Sequence, residues 1–228
     1  VAVFQCALLI DCAESQTTPA QPVSATQPAQ GTEVGLAKAA PGSPLDFTQK
    51  QGEHPPAPVV RALQISEHEI DSNIRDYQCT FAKRERVDGE LGDYQIITLK
   101  VMQQPFSVYM NFQKPYAGRE VVYVAGQNDG KLTVLDAGFT RMLGKLNLDP
   151  TGPRAMSGQK HPITDVGMRN LTAKLTKMWE NEMQFAECDV TVKPNIKVEG
   201  RNTTMVQVVH PVARQNFKFN AARVFFDD

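Results

Sequence analysis

Reaction-centre signatures are scarce in this chain. Its four histidines and four cysteines form no CxxC, no HExxH and no other pair at zinc-ligand spacing. GxSxG, the phosphate-binding GxxxxGK[ST] and GxGxxG are absent as well. No catalytic residue, metal site or cofactor is therefore expected. A formal net charge of −1 supplies no global attraction to nucleic acid or to an anionic membrane, so no nucleic-acid partner is expected. No apolar run is long enough to cross a bilayer, so no transmembrane segment is expected. What is present is an ordinary globular balance of apolar and charged residues, which excludes global disorder.

The stretch from Tyr77 to Gly126 carries the strongest pattern. Phe106, Val108, Met110 and Phe112 alternate with Ser107, Tyr109, Asn111 and Gln113. Ile97, Leu99 and Val101 alternate with Ile96, Thr98 and Lys100 in the same sense. A period of two gives a strand one apolar and one wet face. Asp88-Gly89, Leu91-Gly92-Asp93, Pro105 and Pro115 to Gly118 punctuate the run as turns. The expectation is an antiparallel meander of four strands. Lys83-Arg84-Glu85-Arg86 reads as a solvated sheet edge in preference to a phosphate site.

The segments on either side follow from the same rules. Residues 1–12, VAVFQCALLIDC, resemble the remnant of an export signal, and 13–56 are rich in Pro, Gln, Thr and Ala with no hydrophobic period. They are expected to be a disordered linker, with an exported, periplasmic or envelope-associated domain over 57–228. Leu63, Ile70, Ile74 and Tyr77 place a helix over about 58–76. Gln127 to Gly130 is a tight turn, followed by a strand over 131–136. Gly138 to Gly167 is a long Gly- and Pro-rich connection, interrupted by a short strand around Lys145 to Leu148. Leu171, Leu175, Met178, Trp179 and Met183 mark a second helix. Strands are expected over 186–192, 203–210 and 217–226. The order predicts an α+β fold with an antiparallel sheet and two covering helices. Because the chain stops just after an apolar strand, further closing strands are expected beyond Asp228.

Polar candidates are few. His161 and His210 each precede a proline, which favours an extended turn and a structural role. Asp149 and Asp165 flank the long loop without any indication that they meet. Cys79 and Cys188 could pair as a disulfide or remain two buried thiols.

Ordered motifs add a resemblance. Tyr77-x-Cys79-Thr80-Phe81-x-Lys83-x-Glu85-Arg86-x-x-Gly89 is similar to the opening of a bacterial domain of unknown function, DUF1571. The similarity continues through Pro105 to Tyr109, Gly118 to Val121, Leu148-Asp149-Pro150, and His161-Pro162-Ile163-Thr164-x-x-Gly167, and ends near Ala222-Arg223-Val224-Phe225. The helix-then-sheet order in turn looks like the LolA-like half-barrels, in which a curved antiparallel sheet lidded by helices holds acyl chains. That resemblance implies a non-enzymatic envelope protein binding a lipid or a lipoprotein acyl chain. Phe81, Leu99, Phe106, Val108, Met110 and Phe112 would line the groove. Met142, Leu146, Leu175 and Trp179 would form its lid. The alternatives are an envelope protein-interaction module with a filled core and, further off, a hydrolase.

Overall fold

The computed structural model describes residues 45–185, 188–212 and 217–228. The apolar N-terminus with Cys6 and Cys12, and the first part of the expected linker, lie outside the described residues. The described chain already has buried apolar residues at Leu45 and Phe47, so packed structure begins inside the stretch read as linker. The single expected domain divides into two compact units. One is Leu63–Trp179; the other holds residues 45–62 and the described residues from Glu180 onwards.

In the first unit, β1 (Asp76–Lys83), β4 (Gln95–Met102), β5 (Ser107–Lys114), β6 (Glu120–Val124), β7 (Leu132–Leu135) and β8 (Lys145–Leu148) form one antiparallel sheet in the order β1-β4-β5-β6-β7-β8. The sheet is not closed, and β1 and β8 are its two ends. A small ribbon, β2 (Arg86–Val87) with β3 (Glu90–Leu91), is inserted after β1. Asp88 and Gly89 have φ of 51° and 82°, the left-handed pair that a two-residue hairpin of matching twist demands. The meander is thus as the alternation predicts, with two further strands added to it.

Two helices accompany the sheet: α1 (Ala57–Asn73) and α3 (Met168–Glu182), with a single turn, α2 (Pro153–Met156), between β8 and α3. Within the first unit α1 and α3 are joined by polar contacts. The Thr176 hydroxyl donates to Glu67 at 2.7 Å, and the Arg169 guanidinium donates twice to Asp71 at 3.2 Å.

The second unit contains a three-stranded antiparallel sheet, β11 (Ala221–Asp227), β10 (Arg201–Val209) and β9 (Asp189–Val198), with β10 central. Val206 faces Val192 on one side and Val224 on the other, and Val208 faces Ala222. The aromatic ring of Phe47 packs edge-on against Phe226 at 5.3 Å. β9 runs longer than its alternation predicts. Pro194 argues for an end, yet β9 is an edge strand, where proline is tolerated. Asn195 takes φ 60° beside an irregularity in the register at Thr203 and Met205, a bulge that lets pairing resume.

Candidate ligand-binding face

The apolar face of the six-stranded sheet is built in rows that the register sets. Tyr77, Val101, Val108 and Tyr123 are successive partners across four strands. Cys79, Leu99, Met110, Val121, Val134 and Leu146 cross all six. Phe81, Ile97 and Phe112 make the third row. A shift of one residue in any strand would turn its whole apolar set to the wet side, so burial of this face and the register enforce each other. The result is one contiguous cluster with Leu99, Val108, Met110 and Phe112 buried in it and Phe81 and Phe106 half-buried against it.

Helices contribute little to this cluster. Met168 opens α3, and Ile74 follows the end of α1. The other covering side chains are Ala155, Ile163 and Val166. They belong to the irregular connection from β8 to α3, a strap holding only the one-turn α2 and a 3₁₀ turn, Ile163–Asp165. The expected lid residues lie elsewhere. Met142 is 80% exposed. Leu146 is half-buried on β8, while Leu175 and Trp179 are buried but outside this cluster. Ile163 belongs to the His161 to Gly167 motif, but no apolar period in this Gly- and Pro-rich loop marks it or Val166 as a covering side chain.

Polar contacts pin the strap at its middle and at its junction with α3. At the middle the Lys83 ammonium donates to the Gln159 amide oxygen. It also lies 3.1 Å from Glu85, whose carboxylate accepts the Lys160 backbone N–H at 3.2 Å. At the junction the Met168 backbone N–H donates to the Tyr77 hydroxyl at 2.8 Å. Lys83, Glu85 and Tyr77 are thus brought to the loop that carries His161 to Gly167, so two stretches far apart in sequence meet. His161 joins the first group: Lys174 Nζ lies 3.2 Å from its Nδ1 and 2.7 Å from Asp165. Burial, and then the Lys174 charge, hold the imidazole below its ordinary value. Both effects favour the neutral imidazole, while the Glu85 and Asp165 carboxylates oppose them.

Gly167 makes a test of the strap's seat. Its φ is +113°, and a Cβ there would lie 3.3 Å from the Tyr77 hydroxyl and 3.4 Å from Val101 Cγ1. Gly167→Ala should cost about 1–2 kcal/mol through backbone strain and crowding. Urea denaturation measures it; an unchanged midpoint would show that the strap tolerates reseating.

The opposite face carries a shallow groove of about 350 Å³ whose lining includes Gln78, Lys100, Tyr109 and Val122. Lys100 Nζ sits 5.7 Å from the Tyr109 ring centre, a cation–π contact that occupies both groups.

The second unit holds a buried polar pair that periodicity gives no means of finding. His210 Nε2 lies 3.3 Å from Glu182 Oε2, with both side chains at most 5% exposed. His210 Nδ1 is 3.0 Å from the Phe219 carbonyl, and its ring stacks on Phe217 at 4.0 Å. Burial pushes the Glu182 carboxyl up to about 7, and the Lys218 backbone N–H counters it in part. Cys188 is a buried free thiol, pushed up to about 12 by burial and then by the nearby Glu182 and Asp189 carboxylates. A thiol so rarely ionised is a poor nucleophile. Cys79 is also a buried thiol outside any disulfide. Among the described residues no three His, Cys, Asp or Glu side chains are grouped so as to hold a metal. Among them, too, no helix is long and apolar enough to cross a membrane.

Comparison with known sequences matches residues 74–228 to a family described as "Protein of unknown function (DUF1571)". No curated protein matches. Among solved structures, one from Vibrio parahaemolyticus, described provisionally as an outer membrane lipoprotein-sorting protein domain, is similar at 11% identity and a TM-score of 0.34. The alignment covers 72% of this chain and 66% of that one. A DUF1329 family protein from Desulfovibrio piger is similar at 9% identity and a TM-score of 0.33, covering 75% of this chain and 68% of that one.

Proposed function

We propose that this chain, which belongs to the DUF1571 family of proteins of unknown function, is a non-enzymatic binding protein of the cell envelope. Its ligand is a lipid, or the acyl part of a lipoprotein, held on the apolar face of the six-stranded sheet. One observation carries the reading: a continuous apolar face is closed by an irregular strap, with Ala155, Ile163 and Val166 as its contribution to the cluster. Irregular segments with few apolar contacts belong to the low-stability end of a fold and open locally without global unfolding. An acyl chain that replaces the strap gains about 0.8 kcal/mol for each CH₂ it buries, which readily exceeds what three small or medium side chains give up. Phe81, Leu99, Phe106, Val108, Met110 and Phe112 would then contact the ligand, and the strap takes the lid role.

Native mass spectrometry of protein purified without detergent tests the proposal. A bound mass that organic solvent releases, or saturable uptake of a fluorescent fatty acid, is the expected result. A protein that never carries lipid and shows no saturable uptake would sink it. One observation favours a second reading, a protein-interaction module: among the described residues β1 and β8 each pair with a strand on one side only, and an unpaired strand edge is a template for an added strand. One stoichiometric protein partner recovered without lipid would favour that reading.

A further inference from the structure

The connection from β7 to β8 ends in a 3₁₀ turn, Gly138–Leu143, that does the reverse of folding an apolar segment inward. Phe139 is 85% exposed, Met142 80% and Leu143 76%. Isolated exposed apolar side chains are ordinary, but three large ones on a single turn form a patch that water penalises unless something covers it. The charges within the segment itself are of one sign. Arg141 sits between the apolar residues and Lys145 follows them, while no acidic residue occurs from Ala137 to Leu148. Asp136, just before the turn, is taken up by the Arg119 guanidinium at 2.8 Å. Glu120 lies 3.5 Å from Arg141 and leaves that side chain half exposed. Lys145 is exposed.

The backbone of the turn is also suited to a low-dielectric boundary, where an unpaired polar group is expensive. The Gly144 N–H donates to the Arg141 carbonyl, the Thr140 hydroxyl to the Ala137 carbonyl, and the Ala137 N–H to Asp136.

We propose that the Phe139–Met142–Leu143 tip docks this protein on an anionic phospholipid surface, the three apolar side chains entering the interface and Arg141 and Lys145 meeting the headgroup phosphates. Apolar side chains interleaved with cations suit that boundary, since each kind of group finds its own layer within a few ångströms. The net charge of −1 conceals this local asymmetry. The proposal deepens the lipid-binding reading, because a carrier must meet a membrane to load or unload, but it stands on separate residues.

The test uses the full chain and vesicles of phosphatidylglycerol and phosphatidylethanolamine in equal parts. Changing Phe139, Met142 and Leu143 together to serine should cut vesicle co-sedimentation by about tenfold or more. The thermal midpoint should not change, since all three are in solvent. Arg141→Glu with Lys145→Glu should weaken binding to these vesicles and leave the weaker binding to neutral phosphatidylcholine unchanged. Phe139→Trp supplies a local readout, with its fluorescence quenched by brominated lipid. Absence of quenching, or a serine variant that sediments as well as the parent, overturns the proposal. So does a tip-dependent homodimer or protein complex that forms in place of vesicle binding. Native mass spectrometry without vesicles reports acyl carriage separately, so docking without carriage, or carriage without docking, assigns the failure to one reading.

Discussion

Ile163→Ala should lower stability by about 2–4 kcal/mol and at the same time raise the affinity for a fluorescent acyl probe several-fold. Ile163 is 8% exposed and lies in the cluster on the apolar face of the sheet. Removing its outer carbons leaves a void in that cluster, and the strap cannot collapse fully because Lys83, Glu85 and Tyr77 hold it on both sides of Ile163. The stability term is the ordinary cost of such a void. The affinity term is specific to the proposed mechanism. A ligand that competes with the strap binds only the strap-open fraction, so its apparent affinity scales with that fraction. Weakening the closed state raises the fraction. Urea denaturation and probe titration on the same samples check both. Loss of stability with no acyl binding by either protein would mark the face as plain core.

Glu182→Gln should stabilise the protein by about 2 kcal/mol above neutral pH and by only about 0.5 kcal/mol near pH 5. Glu182 has its folded value raised from 4.5 to about 7 by burial. A carboxyl so shifted binds its proton more tightly folded than unfolded. The stability it confers is therefore complete below about 4.5 and declines as pH rises towards 7. At about 1.4 kcal/mol per pH unit this sets a ceiling of about 3 kcal/mol, which relaxation of the site lowers. Glutamine is neutral at every pH and escapes the loss. His210 works in the opposite sense: burial holds it below its ordinary 6.5, against the pull of the Phe219 carbonyl. Its contribution is lost as pH falls below that value, in the parent and the variant alike. Thermal or urea unfolding from pH 5 to 8.5 separates the two. A glutamine variant less stable than the parent at alkaline pH would mean that His210 and Glu182 hold a charged pair.

The two expectations differ in how much of each the chain itself announces. The alternation of Phe106 to Gln113 and of Ile96 to Val101 is local, and it sets both the strands and the face each side chain takes. Register follows from it, because only one pairing keeps Leu99, Met110 and Val121 in a common row. Asp88-Gly89 is equally direct, since few residues accept two successive positive φ values. The strap was not readable in this way. Ile163 and Val166 have no period, and their burial depends on Tyr77, Lys83 and Glu85, about eighty residues earlier in the chain. The helices were legible only in part. An amphipathic stripe states that α1 and α3 bury a face, but not against what.

From its residues alone, then, this chain determines an antiparallel α+β fold, the wet and apolar faces of its main sheet and its tightest turns, because these depend on neighbours one to four positions apart. The tertiary structure decides which segment closes the apolar face, that Glu182 and His210 meet in the interior, and that Phe139, Met142 and Leu143 stand in solvent. Each of those depends on contacts between distant segments, or on the lack of them, and no local period encodes that.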